Sequence, residues 1–241
     1  MDEHARISKF KGLRQELQES AEARVVFDFE GVAQSYRVFL GNERELRESL
    51  VHHSNLEVAI SLWDVENREG LDNFLDEVVR LLHNYLAAAG TLRDHSRRLW
   101  QKHLPSDPEY DERVKATFAD SPLCVFVQDL RNYSLHNQLP VAHGHMTWGT
   151  DHGLTPSVKV RKESLLESWE WKSLAKRYLN SLEEEWIDLL ELIQAYTDTV
   201  TYFNDWLAMA FVERRVEAFV FVQRKKAELA AVLLGDEGIG S

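Results

Sequence analysis

Between Leu71 and Leu92 the apolar residues Leu71, Phe74, Leu75, Val78, Leu82, Tyr85, Leu86, Ala89 and Leu92 recur at steps of three and four. That spacing lines them along one face of a 3.6-residue helix. No proline interrupts the pattern before His103, so one long helix is predicted over 71–103. An apolar face of that length has to be covered by other elements. The rest of the chain offers more helices to cover it: Gly and Pro number only 11 and 5 in 241 residues, which argues against an all-β sandwich.

Other segments follow the same logic. Ile7, Phe10, Leu13 and Leu17 predict a helix over 4–22. The run from Arg24 to Asn42 is ambiguous, because "VVFDF" alternates as a strand does while the remainder tolerates helix. Leu46, Leu50, Leu56 and Ile60 predict a helix over 43–62, with a break around Glu66 to Gly70. "LPSDPEYD" marks a turn, after which short helices are expected over 109–119 and from Pro122 to Gln138. Asp120 or Ser121 can cap the second of these, with Pro122 in the tolerated first turn. "LPVAHGHMTWGTDHGLTPSVKV" changes character, with three glycines, two prolines and strand-like alternation. Helices resume over 163–179 and from Leu182 to about Leu234, the second being one very long helix or two. The tail "GDEGIGS" should fray.

The expected fold class is all-α: an antiparallel helical bundle with a small β-hairpin or long-loop insertion around residues 139–161. It is read as one helical domain over 1–241, made of an N-terminal helical extension (1–64), a core (65–138), the insertion and C-terminal helices (162–234).

The charged N-terminus has no apolar leader segment, and no apolar run is long enough to span a bilayer, so a cytoplasmic protein with no membrane partner is expected. The single Cys124 sits in an apolar run and reads as a buried thiol in a reducing compartment. A net charge of −12 weighs against broad, sequence-independent nucleic-acid binding, although "LRDHSRRLWQK" and the pair "VKVRK" with "WKSLAKRY" are locally basic.

Several chemistries are missing. There is no Gly-rich phosphate loop, HExxH, GxSxG or CxxC pair, and no cofactor is implied. The acidic run Glu183-Glu184-Glu185, with Asp188 and Glu191, reads as the solvated face of the last helix. His143 and His145 are two apart and would share a strand face, with Asp151 and His152 beyond a turn. His143, His145 and His152, with the Asp151 carboxylate, could ligate zinc or a similar ion, but polar loop histidines are the commoner explanation, and no metal site is assigned. His52 and His53 adjoin on a helix and face different ways.

"VFVQDLRNYSLHNQLPV" places Arg131, Asn132 and His136 in an apolar run. The same Arg-x4-His spacing occurs at Arg47–His52 and Arg98–His103, so spacing alone discriminates little. Only Arg131 is followed by a neutral polar residue, Asn132. On an ideal helix Asn132 and His136 share a face, while Arg131 points about 140° away from His136. Val125, Phe126, Leu130, Tyr133 and Leu135 would hold the helix to the bundle. The ordinary structural reading has Arg131 paired with a neighbouring carboxylate, Asp129 being at hand. Asn132 then caps a turn and His136 is a surface or core imidazole. Asp94 and Arg98, four apart, would form an ordinary intrahelical pair.

"LRNYSLH" resembles the R-[polar]-x3-H motif of the HEPN superfamily (higher eukaryotes and prokaryotes nucleotide-binding domains). The block from Asn84 to Val141 is also similar to uncharacterised bacterial helical proteins. The resemblance implies an all-helical domain that pairs as a homodimer and cleaves RNA without a metal. His136 would then be general base or acid, Arg131 would stabilise the charged phosphate, and Asn132 would orient His136 or bind the phosphate. Gln138 stands where toxin members of the superfamily carry Tyr, which argues against modification by a partner nucleotidyltransferase. The sequence specifies no antitoxin or other protein partner. The alternative is a non-catalytic helical module that binds nucleotide, RNA or protein.

Overall fold

The computed structural model describes residues 3–149 and 153–234. Its elements are α1 (Glu3–Glu19), α2 (Ala21–His53), α3 (Leu56–Trp63), α4 (Arg68–His103), α5 (Glu109–Val114), α6 (Pro122–His136), β1 (Ala142–Gly149), β2 (Gly153–Arg161), α7 (Lys162–Ser168), α8 (Ser173–Ser181), β3 (Trp186–Asp188), α9 (Leu189–Arg214) and α10 (Val216–Leu234). The fold is helical with one small antiparallel sheet, as the sequence predicts. Among the described residues no helix is long and apolar enough to cross a membrane. The expected fraying of "GDEGIGS" falls on residues 235–241, outside the described residues.

The chain divides into two compact units: residues 1–34, 95–105 and 205–241 form one, and residues 35–94 and 106–204 the other. In the first, Val26, Ala218 and Val222 make a small core, with Leu17 and Phe219 packed against it. Phe29 stacks on Phe211 at 5.5 Å and meets Phe219 edge-on at 5.3 Å. Trp100 stacks on Trp206 at 5.5 Å, with the Arg214 guanidinium over its ring. Lys225 Nζ, reaching Glu16 and Glu228 at 3.0 and 3.1 Å, ties α1 to α10.

These contacts resolve the ambiguous "VVFDF" as helix. Val26 and Phe29 are three apart and both meet the α9–α10 side chains, which a strand would point to opposite faces.

In the second unit Tyr85, almost wholly buried, meets Phe39 at 5.2 Å and hydrogen-bonds Thr197 Oγ1 at 2.8 Å. Tyr110 and Phe118 approach Phe203 edge-on, and Cys124 is buried as expected. The 142–161 segment is a hairpin, with Ala142 opposite Val160 and Gly149 opposite Gly153. Gly153 has φ +69°, a left-handed conformation that glycine adopts without strain.

Four expectations are corrected. The helix over 43–62 breaks at Ser54, and α3 restarts behind Asn55, whose side chain caps Glu57 and Val58. The helix over 163–179 is two, because Trp169 is extended and the Lys172 N–H is taken by Asp129 Oδ2 at 2.8 Å. The segment after Leu182 opens with β3, which pairs Lys159–Arg161 of β2 with Trp186–Asp188. Finally, Glu184 and Glu185 are not a solvated helix face; they form ion pairs with Lys159 and Arg161 on β2. Of the two alternatives for the long C-terminal segment, one very long helix or two, the fold has two, α9 and α10, parted at Arg215.

Candidate functional site

Helix α6 starts where the sequence puts its cap: Ser121 Oγ accepts the Cys124 N–H at 3.3 Å, with Pro122 in the first turn. Its buried face carries Phe126, Val127, Leu130 and Tyr133. Phe126 packs on Trp171 at 5.3 Å and Tyr178 at 5.0 Å, and Tyr133 on Trp171 at 5.7 Å. Of the five residues expected to seat the helix, Phe126, Leu130 and Tyr133 are buried, Val125 is half-buried and Leu135 is exposed.

The end of the helix is anchored by polar contacts. Asn137 Nδ2 donates to the Ser168 carbonyl at 2.8 Å, and Gln138 Nε2 donates to Tyr133 Oη at 2.7 Å. Gln138 therefore has a structural partner within the chain.

The three motif residues occupy this helix differently. Arg131 is half-buried, and its guanidinium lies across Gly90 of α4: a Cβ built on Gly90 would stand 2.7 Å from Arg131 Cζ. A glycine there is what allows the arginine to lie flat against the helix. Arg131 Nε is buried without a hydrogen-bond partner. Asn132 is half-buried one position on, and His136 is the last helical residue, exposed.

Of the ordinary structural reading the fold contains only one part, the surface imidazole at His136; Arg131 is not paired with Asp129, and Asn132 caps no turn. Asp129 is buried and engaged elsewhere, accepting the Lys172 N–H at 2.8 Å and lying 3.3 Å from its ammonium. Among the described residues, neither Arg131, Asn132 nor His136 forms a side-chain hydrogen bond or ion pair. No hydrogen bond links Arg131 to His136, in keeping with their separation on the helical wheel.

Sequence reasoning missed two neighbours. Tyr196 of α9 is deeply buried, and burial drives its hydroxyl pKa far above the usual value, while the charges of Arg93 and Arg131 pull it down. Both guanidinium groups thus lie within electrostatic reach of one buried phenol. Arg93 is exposed and pairs with Asp94 at 3.0 Å. Asp94 takes Arg93 at that distance, and the expected Asp94–Arg98 pair is not made: Arg98 has no ion-pair partner among the described residues. No local pattern in "GTLRDHS" distinguishes Arg93 from its neighbours; only the packing of α4 against α6 and α9 does.

His143 and His145 share a face as expected, both set edge-on against Trp186 at 5.1 and 4.1 Å. Burial lowers the His145 pKa, helped by the charges of Lys159 and His143. Asp151 and His152 lie outside the described residues, and among the described residues no group of three or more His, Cys, Asp or Glu side chains is placed to hold a metal. No protein-family model, curated protein or solved structure matches this chain.

Proposed function

We propose that this chain is a HEPN-type, metal-independent endoribonuclease acting as a homodimer. One observation supports the reading above the others: among the described residues, Arg131, Asn132 and His136 have no side-chain hydrogen-bond or ion-pair partners, although Arg131 and Asn132 are half-buried and a carboxylate stands two residues away at Asp129. A half-buried cation with no counter-charge suits a group reserved for an anionic ligand.

In the proposed reaction His136 accepts the proton of the ribose 2′-hydroxyl, whose oxygen attacks the adjacent phosphorus. The bond to the 5′-oxygen breaks, leaving a 2′,3′-cyclic phosphate and a 5′-hydroxyl that takes a proton from the second His136 of the pair. Arg131 stabilises the charge on the phosphoryl oxygens, and Asn132 orients the imidazole. Because an ideal helix sets Arg131 and His136 about 140° apart, a second copy would complete the constellation.

The test is incubation with structured and single-stranded RNAs in excess EDTA. Cleavage to cyclic-phosphate ends, abolished by both His136→Ala and Arg131→Ala, is the expected result. Absence of cleavage by the wild type, with folding and dimerisation unchanged in the variants, would replace the enzyme with a non-catalytic binding module.

A further inference from the structure

The unit formed by residues 1–34, 95–105 and 205–241 contains an open cavity of about 300 Å³ between α2 and α4. Val32 and Leu99, both buried, form its apolar floor. Phe27, Asp28, Arg98 and Lys102 stand around it. Phe27 is 76% exposed, whereas the chain's other ten phenylalanines are all half-buried or buried. Arg98 is exposed and, among the described residues, has no hydrogen-bond or ion-pair partner. Lys102 and His103 both contact the same oxygen of Asp28, Oδ2, at 2.6 and 2.7 Å. Asp28 Oδ1 has no partner among the described residues.

The geometry points to a site for one nucleoside-phosphate unit, its base stacked on Phe27, its phosphate on Arg98 and Lys102, and a ribose hydroxyl or base N–H donated to Asp28 Oδ1. An exposed aromatic face beside a free guanidinium is the combination that holds unpaired bases. The local charge is complementary to phosphate in a chain whose net charge is −12. The volume sits at the lower end of the ~300–1,000 Å³ typical of ligand sites, which suits one nucleotide unit and little more. The site uses none of Arg131, Asn132 and His136, so it does not rest on the ribonuclease reading. The unit could be a free nucleotide or one residue of an RNA strand.

Gly31 provides a clean test. A Cβ built on it meets nothing within 4 Å, so Gly31→Leu projects a side chain toward the cavity it lines without displacing backbone. The full chain would be titrated by calorimetry with 5′-GMP, 5′-AMP, inorganic phosphate, a ten-nucleotide single-stranded RNA and an acidic phenylalanine-containing peptide. Binding of a mononucleotide or of the RNA is expected to weaken at least tenfold in both Phe27→Ala and Gly31→Leu. In Arg98→Ala it should weaken with a flatter salt dependence, and in His136→Ala it should be unchanged. Mononucleotide binding would identify the free ligand, and RNA binding alone the strand. The proposal is overturned if neither binds or if phosphate alone binds as well as a nucleotide. It is equally overturned if only the peptide binds, or if Gly31→Leu, melting no lower than the wild type, leaves nucleotide and RNA binding intact.

Discussion

Replacing Gly90 with Ala should reveal whether the Arg131 guanidinium rests on α4. Within a helix, Gly→Ala ordinarily stabilises by about 1 kcal/mol. Here the added methyl would fall 2.7 Å from Arg131 Cζ and 3.0 Å from Cδ, and closer still to Nε. Carbon contacts are favourable only beyond ~3.5 Å, so the side chain has to leave its seat. Crowding a packed position costs about 1–3 kcal/mol, which offsets or exceeds the helical gain. Gly90→Ala alone should therefore lie between neutral and ~2 kcal/mol destabilising, whereas in an Arg131→Ala background it should stabilise by ~1 kcal/mol. The coupling between the two sites, about 1–3 kcal/mol, would be read from urea unfolding of the four proteins in the cycle. Stabilisation by Gly90→Ala of equal size in both backgrounds would refute the placement of Arg131. If the ribonuclease reading holds, Gly90→Ala also lowers cleavage as Arg131→Ala does, with His136 untouched.

Other positions carry shorter tests. His53 is wholly buried against Phe74, with neither ring nitrogen hydrogen-bonded, so His53→Leu should raise stability by about 1–3 kcal/mol. Burial, aided by the charge of His52, puts its pKa below the usual 6.5. Between that folded value and 6.5 the unfolded chain binds more protons, so stability falls as pH drops through 6.5. Unfolding midpoints at pH 7.5 and 5.5 should differ less in His53→Leu than in the wild type, and an equal difference would sink the argument. Asp129→Ala leaves the Lys172 N–H without its acceptor and should cost about 1–3 kcal/mol in a denaturant melt. Asp129→Asn should cost less, since an amide oxygen can still accept that N–H, and parity between the two variants would count against the role given to the bond.

Much of the architecture is set by local signals. The period of 71–92 specifies α4, Ser121 with Pro122 starts α6, and the glycines around a strand-like alternation specify the 142–161 hairpin, because each signal acts within a few residues of itself. The motif at Arg131, Asn132 and His136 is likewise visible as residue types at a spacing. The tertiary structure alone decides how those residues are used. A three-residue strand at Trp186–Asp188 carries no readable pattern and exists because β2 offers it hydrogen bonds. "VVFDF" follows helix rather than strand because Phe29 has Phe211 and Phe219 to meet. Asp129 looks like the natural partner of Arg131 until Lys172, forty-three positions after it, occupies it, and Gly90, forty-one positions before Arg131, provides the bare surface on which the arginine lies. Side-chain pairing of that kind depends on which helices become neighbours, and distance along the chain holds no record of it.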